Sequence, residues 1–196
     1  MIYKADLTHG SLKLSESRLI ADLLLKGTPP EGWKRAIYQK NILQAKSKTT
    51  AANLTRLIRG RLSLMGPELW KLIRDGKGTT ATHAVFACAV HHSRLLADFL
   101  ALVVAEQYRL FSQTLPKCLW TKFLEECRER DPYMSLWSES TRDRQRSSVF
   151  QTLAQAGYLD NTKTCALQAV HIAEPVLKYL RGNNETAVLR AILVGP

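Results

Sequence analysis

Apolar residues recur every three or four positions through most of this chain, the spacing that places them on one buried helix face. The clearest instance covers residues 50–65. There Leu54, Leu57, Ile58, Leu62 and Met65 fall on one side, and Lys48, Thr49, Ala52, Arg56, Arg59 and Ser63 on the other. Arg61 falls on the apolar side, which requires either a junction between structural units or a paired partner. Upstream, the pattern predicts a helix over 17–26 with Leu19, Leu23 and Leu24 inward, preceded by Ser15 and stopped at Gly27-Thr-Pro-Pro30. A second helix is expected over 33–43 with Trp33, Ile37 and Tyr38 inward. The polar run 44–48 separates it from the third, for which Ser47 or Thr49 is the candidate cap.

Gly66-Pro67 then punctuates the chain, and Pro67 suits the first turn of a short helix ending near Arg74. After a loop at residues 75–78, two strongly apolar helices are expected over 82–91 and 93–111, forming the centre of the fold. Residues 112–116 read as a boundary. Beyond it come a helix over 116–130, with Leu119, Phe123, Leu124 and Cys127 inward, and a short helix over 132–137. A longer helix over 141–156 comes next, capped by Ser138 or Ser140 and ended by Gly157. A turn at 160–163 leads to the strand-like segment 164–172, and helices over 174–181 and 184–193 close the chain.

Helix, short helix, long helix and hairpin is the order of a winged helix-turn-helix. The fold class expected is therefore mainly α, in two small helical domains of helix-turn-helix and winged-helix character, with a short β wing in the C-terminal half. The N-terminal domain covers 1–112 and includes a basic helix-turn-helix-like segment. The C-terminal domain covers 113–196.

Charge is more informative than composition. The 196 residues are 45% hydrophobic and 23% charged, ordinary for a globular protein. The formal net charge is +11 and the sequence pI is about 9.7. Between Gly32 and Pro67 lie eight Lys or Arg (Lys34, Arg35, Lys40, Lys46, Lys48, Arg56, Arg59 and Arg61) and no Asp or Glu. A face selected for solubility mixes both signs, whereas a one-sign block on helical spacing is the footprint of a phosphate-binding surface. In this segment Lys46, Lys48, Thr49 and Thr50 would meet a nucleic-acid backbone near a helix N-terminus, with Asn53, Arg56 and Arg59 further along. In the C-terminal unit the helix over 141–156 would be the recognition helix. Arg144, Ser147, Ser148, Gln151 and Gln155 face away from its apolar side, Arg142 and Arg146 lie nearer that side in the first turns, and Lys163 sits at the tip of the wing.

The partner expected is double-stranded DNA, bound mainly through phosphates by a monomer with no cofactor, metal or catalytic residue. A protein adaptor docking acidic partners is the first alternative. An RNA-binding protein is the second, set back by the lack of aromatic platforms interleaved with the basic run. Cys88, His91 and His92 sit within one helical turn, but no further ligands stand at familiar spacing. Asp75-Gly-Lys-Gly78-Thr-Thr80 lacks the full phosphate-loop pattern and a preceding strand. Residues 1–6 do not open a secretory signal. The apolar window 84–105 is interrupted by His91, His92, Ser93, Arg94 and Asp98, so no membrane anchor is expected. The four scattered cysteines fit reduced thiols and a cytoplasmic location.

At Lys40-Asn-Ile-Leu-Gln-Ala-Lys-Ser-Lys-Thr-Thr-Ala-Ala-Asn53 and Ile58-Arg-Gly-Arg-Leu62 the chain resembles the BrxA family of BREX phage-defence systems. Residues 5–20, with Ser15-Glu-Ser-Arg-Leu-Ile20, and residues 140–159 carry the same resemblance. The resemblance implies a cytoplasmic, all-helical protein with winged-helix character that binds double-stranded DNA beside other BREX subunits. It supplies no catalytic signature.

Overall fold

The computed structural model describes residues 3–7 and 11–195; residues 8–10, inside one of the stretches that carry the resemblance, lie outside them. The chain folds as α1 (Leu14–Leu25), α2 (Pro30–Lys34) running into a π-helical turn (Arg35–Gln39), α3 (Lys48–Leu62), α4 (Pro67–Asp75) and α5 (Thr79–His92). Next come α6 (Arg94–Asp98), a π-helical segment (Phe99–Val104) and α7 (Ala105–Arg109), then α8 (Cys118–Arg130), α9 (Glu139–Ala156), α10 (Glu174–Gly182) and α11 (Thr186–Ile192). The molecule is mainly helical, as the periodicity predicts.

Helix α5 is the axle. Its residues from His83 to Val90 are all buried, because a helix apolar on every side must be enclosed on every side. Helices α1, α3, α4, α6, α9, α10 and α11 pack around it. A second focus is aromatic: Phe99 meets Trp120 edge-on at 5.1 Å and Phe123 at 5.3 Å, with Phe150 at 6.3 Å. This knot joins the π-helical segment to α8 and α9, and such edge contacts add about 0.5–1.5 kcal/mol per pair beyond burial. The buried apolar residues form one cluster from Tyr3 to Ile192. Among the described residues no single helix is long and apolar enough to cross a membrane. Helix α5 and the stretch Arg94–Arg109 pass that test only together, across a bend of 105°.

Helix ends follow local chemistry. Ser47 caps α3 and Ser138 caps α9, each hydroxyl accepting from the backbone N–H three residues on, Thr50 at 3.1 Å and Thr141 at 3.3 Å. Pro67 occupies the first turn of α4. Gly157 ends α9 at φ +90°, a conformation an L side chain resists.

Two expected elements do not form. Residues 132–137 are not a helix: the Asp131 carboxylate accepts the Tyr3 and Tyr133 N–H groups, each at 3.2 Å, and holds an Asp-Pro turn. The β wing is absent, since the described residues contain no strand. Residues 164–172 instead make two isolated antiparallel bridges, Thr114 with Ala166 and Leu159 with Leu167. Cys165 adopts φ +53°, which breaks the alternation a strand needs. The Asp160 carboxylate accepts the Asn161 and Ala166 N–H groups, and Asn161 Oδ1 accepts those of Lys163 and Thr164. Side chains therefore close this turn locally in place of a ladder.

Burial corrects individual positions too. Leu19 is 38% exposed while Ile20 is in the core, and Tyr38 faces outward. Ser148 is buried rather than displayed on α9.

Two histidines couple the fold to pH. His83 is buried in α5 and its Nδ1 accepts the Ala173 N–H at 3.0 Å; burial lowers its pKa from the ordinary value. His92 is lowered as well, first by burial and then by the charges of Arg61, Lys4 and His91. Both rings take up a proton less readily in the native state than when unfolded, where the ordinary value of 6.5 applies. Their contribution is thus complete above that value and declines as pH falls below it. The urea midpoint is expected to drop between pH 7 and 5.5, and the double variant His83→Gln/His92→Gln to flatten that drop.

Candidate nucleic-acid interface

The expected site residues fall into two groups. The first is carried by α3. Lys46 precedes its cap, Lys48 and Thr49 open it, and Asn53, Arg56 and Arg59 come after them at helical spacing; all six are exposed. The first-turn amides of α3 lie beside Lys46 and Lys48, so side-chain charge and helix dipole act in the same sense on an anion. Arg59 is held with its guanidinium 4.9 Å from the Trp33 ring centroid, an arrangement that limits its rotamers without neutralising it. Arg56, Arg59, Lys46 and Lys48 form no ion pair among the described residues. Lys34, by contrast, is answered by Glu31 at 2.9 Å.

Between α3 and the π-helical turn runs an open groove of about 490 Å³, lined by Tyr38, Ala52, Thr55, Arg56, Arg59, Gly60 and Ser63. Tyr38 lies within the π turn and lines this groove. The Lys40 N–H bonds the Arg35 carbonyl at 2.9 Å, five residues back.

The second group belongs to α9 and the loop after it. Arg142, Arg144, Ser147 and Gln151 are exposed, and Lys163 is exposed in the turn that replaces the wing. Arg146 is half-buried and paired with Asp143 at 3.0 Å, so its charge is partly answered. Arg146, Ser147 and Gln151 line a cleft of about 550 Å³ with Lys117, Gln155 and the loop residues Asp160, Asn161 and Thr162. The pattern of the chain did not single out Lys117, and it placed Tyr38 inward. Lys117 stands at the head of α8, far in sequence from α9, and nothing local marks it.

Arg61 proves to be buried, only 3% exposed. Its Nη1 donates to the Ser11 carbonyl at 3.3 Å, and the charge of Asp6 opposes the effect of burial on its pKa, which is lowered. Asp6 in turn accepts from the Ser93 hydroxyl at 2.7 Å. The next residue, Leu12, donates its N–H to Gln155 Oε1 of α9 at 2.9 Å. Adjacent residues of the N-terminal segment thereby tie the inner side of α3 to the last turn of α9. Tyr3 anchors the same segment to α6, its hydroxyl donating to Asp98 at 2.8 Å.

The remaining reactive side chains do not converge. Cys88 is enclosed in α5, where burial pushes its thiol up to about 12. His91 Nδ1 lies 3.6 Å from a Glu185 carboxylate oxygen. All four cysteines are free. Among the described residues no group of three or more His, Cys, Asp or Glu is placed to hold a metal ion.

Known proteins resemble this chain over its whole length. The family model for BrxA matches residues 1–184. A BREX protein BrxA from Paramagnetospirillum magneticum is 48% identical over 192 residues, covering 98% of this chain and 96% of its own. A BREX protein BrxA from Escherichia coli O9:H4 is 35% identical over 167 residues, covering 85% of this chain and 78% of its own. A crystal structure described as an uncharacterized protein from Magnetospirillum magneticum superposes with a TM-score of 0.93 at 46% identity, covering 100% of both chains. The likeness therefore spans both basic helices and the core that carries them, and the chain belongs to the BrxA family.

Proposed function

We propose that this protein is a non-enzymatic, double-stranded DNA-binding member of a BREX phage-defence system, working in the cytoplasm as a monomer beside other BREX subunits. The observation that carries the reading is the unanswered charge on and just before α3: Lys46, Lys48, Arg56 and Arg59 are exposed and form no ion pair among the described residues, and no acid lies between Gly32 and Pro67. Helices α3 and α9, one from the 1–112 part and one from the 113–196 part, are the two presented to DNA in the manner of helix-turn-helix proteins. The amides at the head of α3 and the Lys and Arg side chains position phosphates. Asn53, Ser147 and Gln151 supply donors and acceptors that orient the duplex without demanding one sequence.

Binding driven by phosphate contacts is indifferent to base order. Two unrelated random-sequence duplexes of equal length, titrated by fluorescence anisotropy at low salt, are expected to bind at micromolar or tighter affinity and within a few-fold of each other. Failure of both to bind would leave the basic faces as docking surfaces for acidic proteins. A strong preference for one duplex would contradict the phosphate mechanism.

A further inference from the structure

The groove beside α3 is built differently from a surface that only follows a DNA backbone. Its floor is made of small residues, Ala52, Gly60 and Ser63, and its basic wall is Arg56 and Arg59. Facing them is Tyr38, an aromatic residue 44% exposed to solvent. It lies within the π-helical turn Arg35–Gln39, an uncommon geometry found often at functional sites. At about 490 Å³ this open groove is far too small for a duplex and has room for a single ring.

We infer that this groove receives one unpaired nucleobase, stacked on the face of Tyr38, with the flanking phosphates held by Arg56 and Arg59. Base pairs within intact B-form DNA keep their faces covered by neighbouring pairs, so only an extrahelical, bulged or frayed base offers a ring face to Tyr38. The Arg59 guanidinium, fixed over Trp33, presents its charge at a defined place on the wall. The inference rests on the DNA-binding reading above and names the feature of DNA that the α3 surface prefers: a local unpaired nucleotide in an otherwise double-stranded partner.

The test compares a matched duplex with the same duplex carrying one bulged 2-aminopurine, each titrated with the full-length protein. Stacking of a base on an aromatic side chain corresponds to about tenfold in affinity. The bulged duplex is expected to bind about tenfold tighter, with 2-aminopurine emission quenched on binding. Tyr38→Phe retains both effects. Tyr38→Ala, which removes an exposed ring, and Ala52→Leu, which fills the floor, lose the preference while binding the matched duplex as before. Equal affinity for the two duplexes, or a preference that survives Tyr38→Ala, overturns the inference and leaves general DNA binding standing. Absence of binding to either duplex removes the DNA reading as well.

Discussion

Reversing charge at Arg142 and Arg144 together is expected to lower affinity for duplex DNA by about 100-fold at 0.1 M salt. The same loss is expected of the pair Arg56 and Arg59 if the α3 surface binds as well. The magnitude comes from counterion release. A slope of about −0.9 per neutralised phosphate makes each contact worth close to a factor of eight at that salt, and two contacts about 60-fold. Reversal adds repulsion to the loss. None of these four side chains has an ion-pair partner among the described residues and all are exposed, so glutamate at these positions strands no buried charge and leaves the core intact. Arg146→Glu is expected to cost less than either neighbour, because Asp143 already answers that charge at 3.0 Å. If the α3 and α9 surfaces bind independently, the two double variants combine multiplicatively. If one surface alone binds, the other pair is silent. Anisotropy titrations of the three variants, with circular dichroism as the check on folding, separate these outcomes.

Replacing Arg61 with Ala is expected to destabilise the fold by about 1–3 kcal/mol, the range for leaving a buried polar group without its partner. Arg61 is enclosed, bonds the Ser11 carbonyl and offsets the charge of Asp6, whose own carboxyl is pushed up by burial. Without the guanidinium, Asp6 keeps its Ser93 hydrogen bond but loses the largest charge that favours its ionised form, and the Ser11 carbonyl loses its tie to α3. Arg61→Met, which keeps the aliphatic stem, isolates the electrostatic part. Adding Asp6→Asn to it is expected to recover part of the loss, since the stranded charge is then gone. Urea denaturation measures all three. A midpoint for Arg61→Ala indistinguishable from the parent would mean that the buried network contributes nothing.

Much of this architecture was legible along the chain because it is locally encoded. Leu54, Ile58, Leu62 and Met65 announce α3, and the apolar run around Phe86 announces a central helix. Ser47, Ser138 and Gly157 mark helix ends through hydrogen bonds or backbone angles set within a few residues. The basic surface of α3 was visible for the same reason.

The rest depended on events that helical spacing does not encode. Tyr38, expected inside, lies in the π turn and lines the groove beside α3. Residues 164–172 have the composition of a strand, yet Asp160, Asn161 and the left-handed Cys165 close the segment before a ladder can form. The partners of Arg61 are Ser11 and Asp6, about fifty residues away in sequence, and only the folded chain brings them together. Lys117 joined the α9 cleft by the same kind of long-range packing.

Phosphate contacts are the basis of the proposed activity, and the salt dependence of binding counts them. Titration of the unmodified protein against a random-sequence duplex at several salt concentrations gives the slope of log K against log[salt]. Neutralising about five or six phosphates predicts a slope of roughly −5. A slope near zero would contradict phosphate-driven binding, whatever the affinity.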